Sequence, residues 1–174
     1  LVQEAPGIFS GDLSGITVAA LPWWAKPYYF PDKQMALISD WEEKIDLMAK
    51  ASLQQKITML SGVPAWLLLL IKKLKDLVPQ AHGELSKIFS NLELVVHGGV
   101  NFEPYYKQFC DILGNSRAEL REVYPASEGY IANADRGYGE GLRLCVDNQI
   151  FFEFVPVSEL ASSSPTRHWI KNIE

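Results

Sequence analysis

Apolar positions along the chain follow two periods. Residues 92–96 (Leu-Glu-Leu-Val-Val) and 121–124 (Arg-Glu-Val-Tyr) are short, partly β-branched runs. Each stops in a turn rich in small residues, His97-Gly98-Gly99-Val100 and Tyr124-Pro125-Ala126-Ser127-Glu128. Between them, Tyr105, Tyr106, Phe109, Cys110, Ile112 and Leu113 lie mainly three and four apart, the spacing of a helix over 102–114. Strand, helix, strand is predicted. Upstream, 32–55 carries an apolar helical stripe of Trp41, Ile45, Leu47, Met48 and Leu53, with a break near Ser39-Asp40 and Asp40 as N-cap for Glu43 three residues on. A short strand over 57–60 ends in Ser61-Gly62-Val63-Pro64, and Pro64 opens a helix over 64–77 whose wide apolar face demands burial up to Lys72-Lys73. A short helix over 84–89 precedes the strand at 92. These are two strand-turn-helix units in succession. With parallel neighbours and right-handed crossovers, the carboxyl ends of all three strands share one edge.

The two ends of the chain differ. Residues 1–31 are punctuated by Gly and Pro, which forbids a long helix and predicts a loop-rich lead-in with a short strand over 16–20. Its aromatics, Trp23, Trp24, Tyr28 and Tyr29, need either the core or another surface to cover them. The stretches 142–146 and 149–155 flank Asp147-Asn148 and predict an additional β-hairpin. Residues 158–174 are of low complexity at first and are expected to be a mobile tail. The expected fold is α/β, a mostly parallel sheet flanked by helices with that hairpin, in a single partial domain spanning 1–174.

Composition narrows the function. A chain of 174 residues with a formal net charge of -5 and scattered Lys and Arg offers no basic face, so nucleic acid is not an expected partner. The apolar run over 65–71 falls far short of the roughly 20 residues that cross a bilayer, which predicts a cytoplasmic, non-membrane protein. Cys110 and Cys145 sit in apolar runs and are expected to be buried, reduced thiols. The chain opens on Leu1 with no signal-like segment, and is expected to be an internal piece of something longer.

The chemistry to look for lies at the shared edge, where open α/β sheets bind ligands. Gly98 and Gly99 leave room for a flat purine against their peptide planes. Tyr124 can wall the ring, the Ser127 hydroxyl can donate to a phosphate oxygen, and Glu128 can hold a magnesium ion bridging phosphates. Each feature has a plain structural alternative. A diglycine after a strand is commonly just a turn, and Ser-Glu is common at helix N-termini. His97 fits a half-buried histidine bonded to backbone better than a catalytic base. The loop 137–141 lacks the Lys-Ser/Thr of a P-loop and is expected to be a turn. Glu153 either faces solvent or pairs with a cation.

In order, Ser61-Gly62-Val63-Pro64-Ala65-Trp66, His97-Gly98-Gly99-Val100-Asn101-Phe102-Glu103-Pro104-Tyr105, Tyr124-Pro125-Ala126-Ser127-Glu128-Gly129 and Phe152-Glu153-Phe154-Val155-Pro156 resemble the bacterial branch of the auxin-responsive acyl acid-amido synthetase family. That family is part of the adenylate-forming superfamily, which also contains firefly luciferase and the acyl-CoA synthetases. The resemblance implies the central part of a large N-terminal adenylation domain, with ATP and Mg2+ as cofactors. It implies activation of a carboxylic acid as acyl-AMP and transfer to an amine such as an amino acid. Carried over by position, it sets Gly98, Gly99 and Val100 against the adenine, Tyr124 and Ser127 at the base and α-phosphate, and Glu128 at magnesium. Val63 and Trp66 would wall the acyl pocket. The family's turn more often reads Tyr-Ala-Ser-Ser-Glu, so Pro125 and Ala126 depart from it and Ser127 is left as the sole hydroxyl. The family's phosphate loop is expected upstream of Leu1, and its lid domain with a catalytic lysine downstream of Glu174. The 174 residues by themselves are therefore expected to be inactive. Two alternatives are an acyl-CoA ligase of the same superfamily and a non-catalytic ligand- or protein-binding module on the same fold.

Overall fold

The computed structural model describes residues 2–11 and 13–173. Its centre is a five-stranded mixed sheet of β3 (Met59–Gly62), β4 (Leu94–Gly98), β5 (Glu119–Ala126), β6 (Gly129–Asn133) and β7 (Arg143–Leu144), in that spatial order. The first three strands are parallel, with Gly62 level with His97 and Gly98 level with Val123. The last two are added antiparallel, β5 turning directly into β6. Separate two-stranded pairs join β1 (Val2–Ala5) to β2 (Ile8–Ser10) and β8 (Glu153–Phe154) to β9 (His168–Trp169).

The helices are α1 (Leu13–Ala19), α2 (Lys33–Ala36), α3 (Trp41–Ser52), α4 (Pro64–Leu77), α5 (Leu85–Ile88) and α6 (Glu103–Leu113). The Asp40 carboxylate accepts a hydrogen bond from the Glu43 amide at 2.7 Å, which fixes the start of α3. Pro64 opens α4, where its missing N–H costs nothing. Ile45 and Ala49 of α3, Leu67, Ile71 and Leu74 of α4 and Phe109 and Leu113 of α6 pack with Val95, Leu60 and Leu120 in one core. Strand alternation puts those last three residues on one face of the sheet. The other face is open: Met59 is 55% exposed and Glu119 is exposed as well.

Three expectations are corrected. Residues 16–20 fall mostly in helix α1 rather than a strand, since a seven-residue helix fits between Gly11 and Pro22. The stretches 142–146 and 149–155 do not pair with each other: β7 joins β6, and β8 joins β9. Asp147-Asn148 is poor two-residue turn chemistry, and Asn148 instead donates from its side chain to the Tyr130 carbonyl. Both cysteines are free, Cys110 exposed and Cys145 partly so, because Cys110 sits on the outer side of α6. Of the two options for the lead-in aromatics, Trp23, Trp24 and Tyr28 do not take the core: they are exposed, in keeping with the other one, a further surface to cover them.

Candidate functional site

Two parallel pairings bring the turns after β3, β4 and β5 to one edge. Val63, the N-cap of α4, reaches toward the diglycine turn: a side chain built on Gly99 would meet Val63 Cγ2 at 3.7 Å. The two glycines serve different needs. Gly98 is buried, and any side chain there would collide with the Val123 carbonyl oxygen of β5. Its small size is explained by close strand packing. Gly99 has φ +83 and is exposed with Val100, so the peptide surface open to a ligand belongs to those two residues.

On β5, Tyr124 is 54% exposed at the edge. The strand continues past the diglycine level to Ala126, and Ser127 and Glu128 form the exposed tip of the β5–β6 hairpin rather than a helix N-terminus. Four residues beyond Val123 at about 3.3 Å each put Ser127 roughly 13 Å outward of Gly98 along the strand. The two bends therefore share an edge but not a level. Trp66 lies in the α3–α4 contact, its ring 4.3 Å from that of Trp41, and is about half exposed. Among the described residues no group of three or more His, Cys, Asp or Glu side chains is placed to hold a metal ion. Glu128 alone could hold magnesium only with phosphate oxygens and waters completing the shell.

Beside the diglycine turn lies a cavity of about 280 Å³ that the sequence pattern did not single out. Its lining includes His97, Phe102, Glu103 and Glu122, and Tyr138 of the 137–141 loop. His97 is 1% exposed and stacks on Phe102 with ring centroids 3.4 Å apart. Its Nδ1 has no hydrogen-bond partner, contrary to the backbone-bonded histidine expected. Burial lowers its pKa to about 4, so the ring is neutral at pH 7. Tyr138 stacks on Tyr106 at 3.7 Å, which pins the loop to α6. The one signal in the sequence was an aromatic residue set between glycines in 137–139, and glycine content alone gave it no direction. At the far end of the chain Glu153 is paired, with Arg167 at 2.9 Å.

A model described as the GH3 family N-terminal domain matches residues 5–118, and so takes in β3, β4 and the diglycine turn. No curated protein and no solved structure matches the chain. No helix among the described residues is long and apolar enough to cross a membrane. The chain belongs to the GH3 family, the auxin-responsive acyl acid-amido synthetases of the adenylate-forming superfamily.

Proposed function

We propose that this chain supplies the nucleotide-gripping edge of an ATP-dependent ligase that activates a carboxylic acid as acyl-AMP and passes it to an amine. The observation that supports this most is the common edge of β3, β4 and β5, with bare backbone at Gly99–Val100 and a hydroxyl and carboxylate on the adjacent hairpin tip. In this reading the adenine lies on Gly99 and Val100 beside Gly98, and Tyr124 borders the base. The outward offset of Ser127 suits the direction in which the phosphates extend, and its hydroxyl donates to an α-phosphate oxygen. Glu128 holds magnesium together with phosphate oxygens. The metal's contribution would be to neutralise charge on the departing pyrophosphate.

A carboxylate oxygen of the acid attacks the α-phosphorus, the bond to the bridging oxygen breaks, and pyrophosphate leaves with the electron pair. The neutral amine nitrogen then attacks the acyl carbon, the bond from that carbon to the phosphate oxygen breaks, AMP departs with the electron pair and the nitrogen gives up a proton to solvent. In this reading Val63, which lies close to Gly99, borders the acyl group; Trp66 is assigned to the same wall through the family resemblance. The 174 residues contain neither the phosphate loop nor the lid lysine that the resemblance leads one to expect, so by themselves they should bind ATP weakly and not turn over.

The test is magnesium-dependent exchange of labelled pyrophosphate into ATP by the full-length gene product against a panel of carboxylic acids. Exchange with at least one acid is expected, followed by amide formation when an amine, and not free CoA, is added. A cooperatively folded protein that gives no exchange with any acid contradicts the proposal.

A further inference from the structure

The turn after β4 is clamped at its base by two rings. His97 is next to last in β4 and Phe102 stands at the N-cap of α6, and their rings stack with centroids 3.4 Å apart and planes 16° from parallel. Both residues are 1% exposed. Gly99, Val100 and Asn101 between them are exposed, so the stack joins the two feet of an otherwise open loop. At the first foot Gly98 is pressed against the Val123 carbonyl. At the second, the Asn101 side chain accepts from the Glu103 amide at 3.2 Å and the Phe102 carbonyl accepts from the Tyr105 amide at 2.8 Å. Where the Phe102 ring sits therefore decides where Gly99 and Val100 sit.

One of the rings that hold Phe102 comes from far along the chain. Tyr138 meets Phe102 nearly edge-on, with centroids 6.1 Å apart and planes at 69°, while its own face lies on Tyr106 of α6 at 3.7 Å and 8°. Its loop has glycines on both sides at positive φ, +124 at Gly137 and +83 at Gly139. A side chain on Gly139 would meet nothing within 4 Å, so that glycine serves the bend and not the space around it. Tyr138 itself is 42% exposed, which makes it a small part of the core and leaves its contacts with α6 as what it contributes.

We propose that Tyr138 is a positioning residue for the nucleotide: its ring braces Phe102, Phe102 braces His97, and the braced turn holds Gly99 and Val100 where the adenine lies. The effect on ATP rests on the ligase reading; the brace itself rests on the ring contacts alone. Those contacts are ring to ring, so phenylalanine should serve at this position as well as tyrosine.

The experiment follows the full-length protein and its Tyr138→Ala and Tyr138→Phe variants in pyrophosphate exchange, with deuterium uptake of the same proteins read by mass spectrometry. Tyr138→Ala should raise the KM for ATP at least fivefold, with kcat and the KM for the acid within twofold, and Tyr138→Phe should restore the wild-type values. In Tyr138→Ala the peptide covering 102–106, whose Tyr105 and Tyr106 amides bond to the Phe102 carbonyl, should take up deuterium at least fivefold faster while β3 and α3 keep their rates. If Tyr138→Ala does not fold, Tyr138→Leu takes its place. An unchanged KM for ATP in the folded variant, an equal rise for the acid, faster uptake throughout the chain, or no rescue by phenylalanine overturns the proposal. If wild type gives no pyrophosphate exchange, the ligase reading fails by itself and deuterium uptake decides the brace. Faster uptake confined to 102–106 then upholds it, and unchanged uptake there overturns it.

Discussion

At the scale of single residues, the two glycines of the turn make opposite predictions. Gly98→Ala forces a methyl group into the Val123 carbonyl, which only a shift of β4 against β5 can relieve, so a loss of about 3 kcal/mol or failure to fold is expected. Gly99→Ala keeps its space and costs only the strain of positive φ, about 1 kcal/mol. Urea denaturation of the two variants checks the order, and equal losses would contradict the assignment. His97 carries a pH signature. Its ordinary pKa of 6.5 falls to about 4 in the fold, so between those values the unfolded chain holds a proton that the folded chain rejects. Stability is therefore full above about pH 6.5 and declines as pH falls toward about 4, by up to about 3 kcal/mol at 1.4 kcal/mol per pH unit. His97→Phe, which preserves the stack on Phe102, should flatten that slope in denaturation curves taken across this range. The sequence told of the diglycine turn but not why Gly98 is glycine. That reason is a carbonyl from a strand 25 positions away, which local pattern cannot reveal.

At the scale of elements, what was local was legible. Helix α4 begins and ends where Pro64 and the lysine-rich end of its apolar face said it would, and α3 starts at its cap. Asp40→Ala should cost about 1 kcal/mol through loss of that cap, read as a lowered midpoint in thermal unfolding followed by circular dichroism. Phe109, wholly buried where α6 meets the sheet, should cost about 3–5 kcal/mol when truncated to Ala. What depended on pairing was not legible. The pattern at 149–155 gave a strand but not its partner, since β9 lies beyond the Ser-rich stretch 162–164. Strand β6 was missed because Gly-Tyr-Ile-Ala-Asn is short and only partly apolar, and it forms by hairpin return from β5. The same return makes the Ser127-Glu128 bend a projecting tip, which excludes the helix start that was its plain structural alternative.

At the scale of the whole molecule, the shared edge of β3, β4 and β5 is what carries the ligase reading. Gly99, Val100 and the hairpin tip lie along the edge, and a cavity lined by His97 and Asn101 and by residues of the 137–141 loop lies beside the turn. The edge was foreseeable, because three successive strand ends with right-handed crossovers leave little choice of topology. The cavity was not, because it is assembled from β4, β5, α6 and a distant loop. The most direct measurement is kcat/KM for ATP in pyrophosphate exchange by the full-length protein and its Glu128→Gln variant, titrated from limiting to saturating magnesium. The account predicts a loss of at least tenfold at limiting magnesium that narrows as magnesium rises. Identical kcat/KM for the two proteins at limiting magnesium would contradict it.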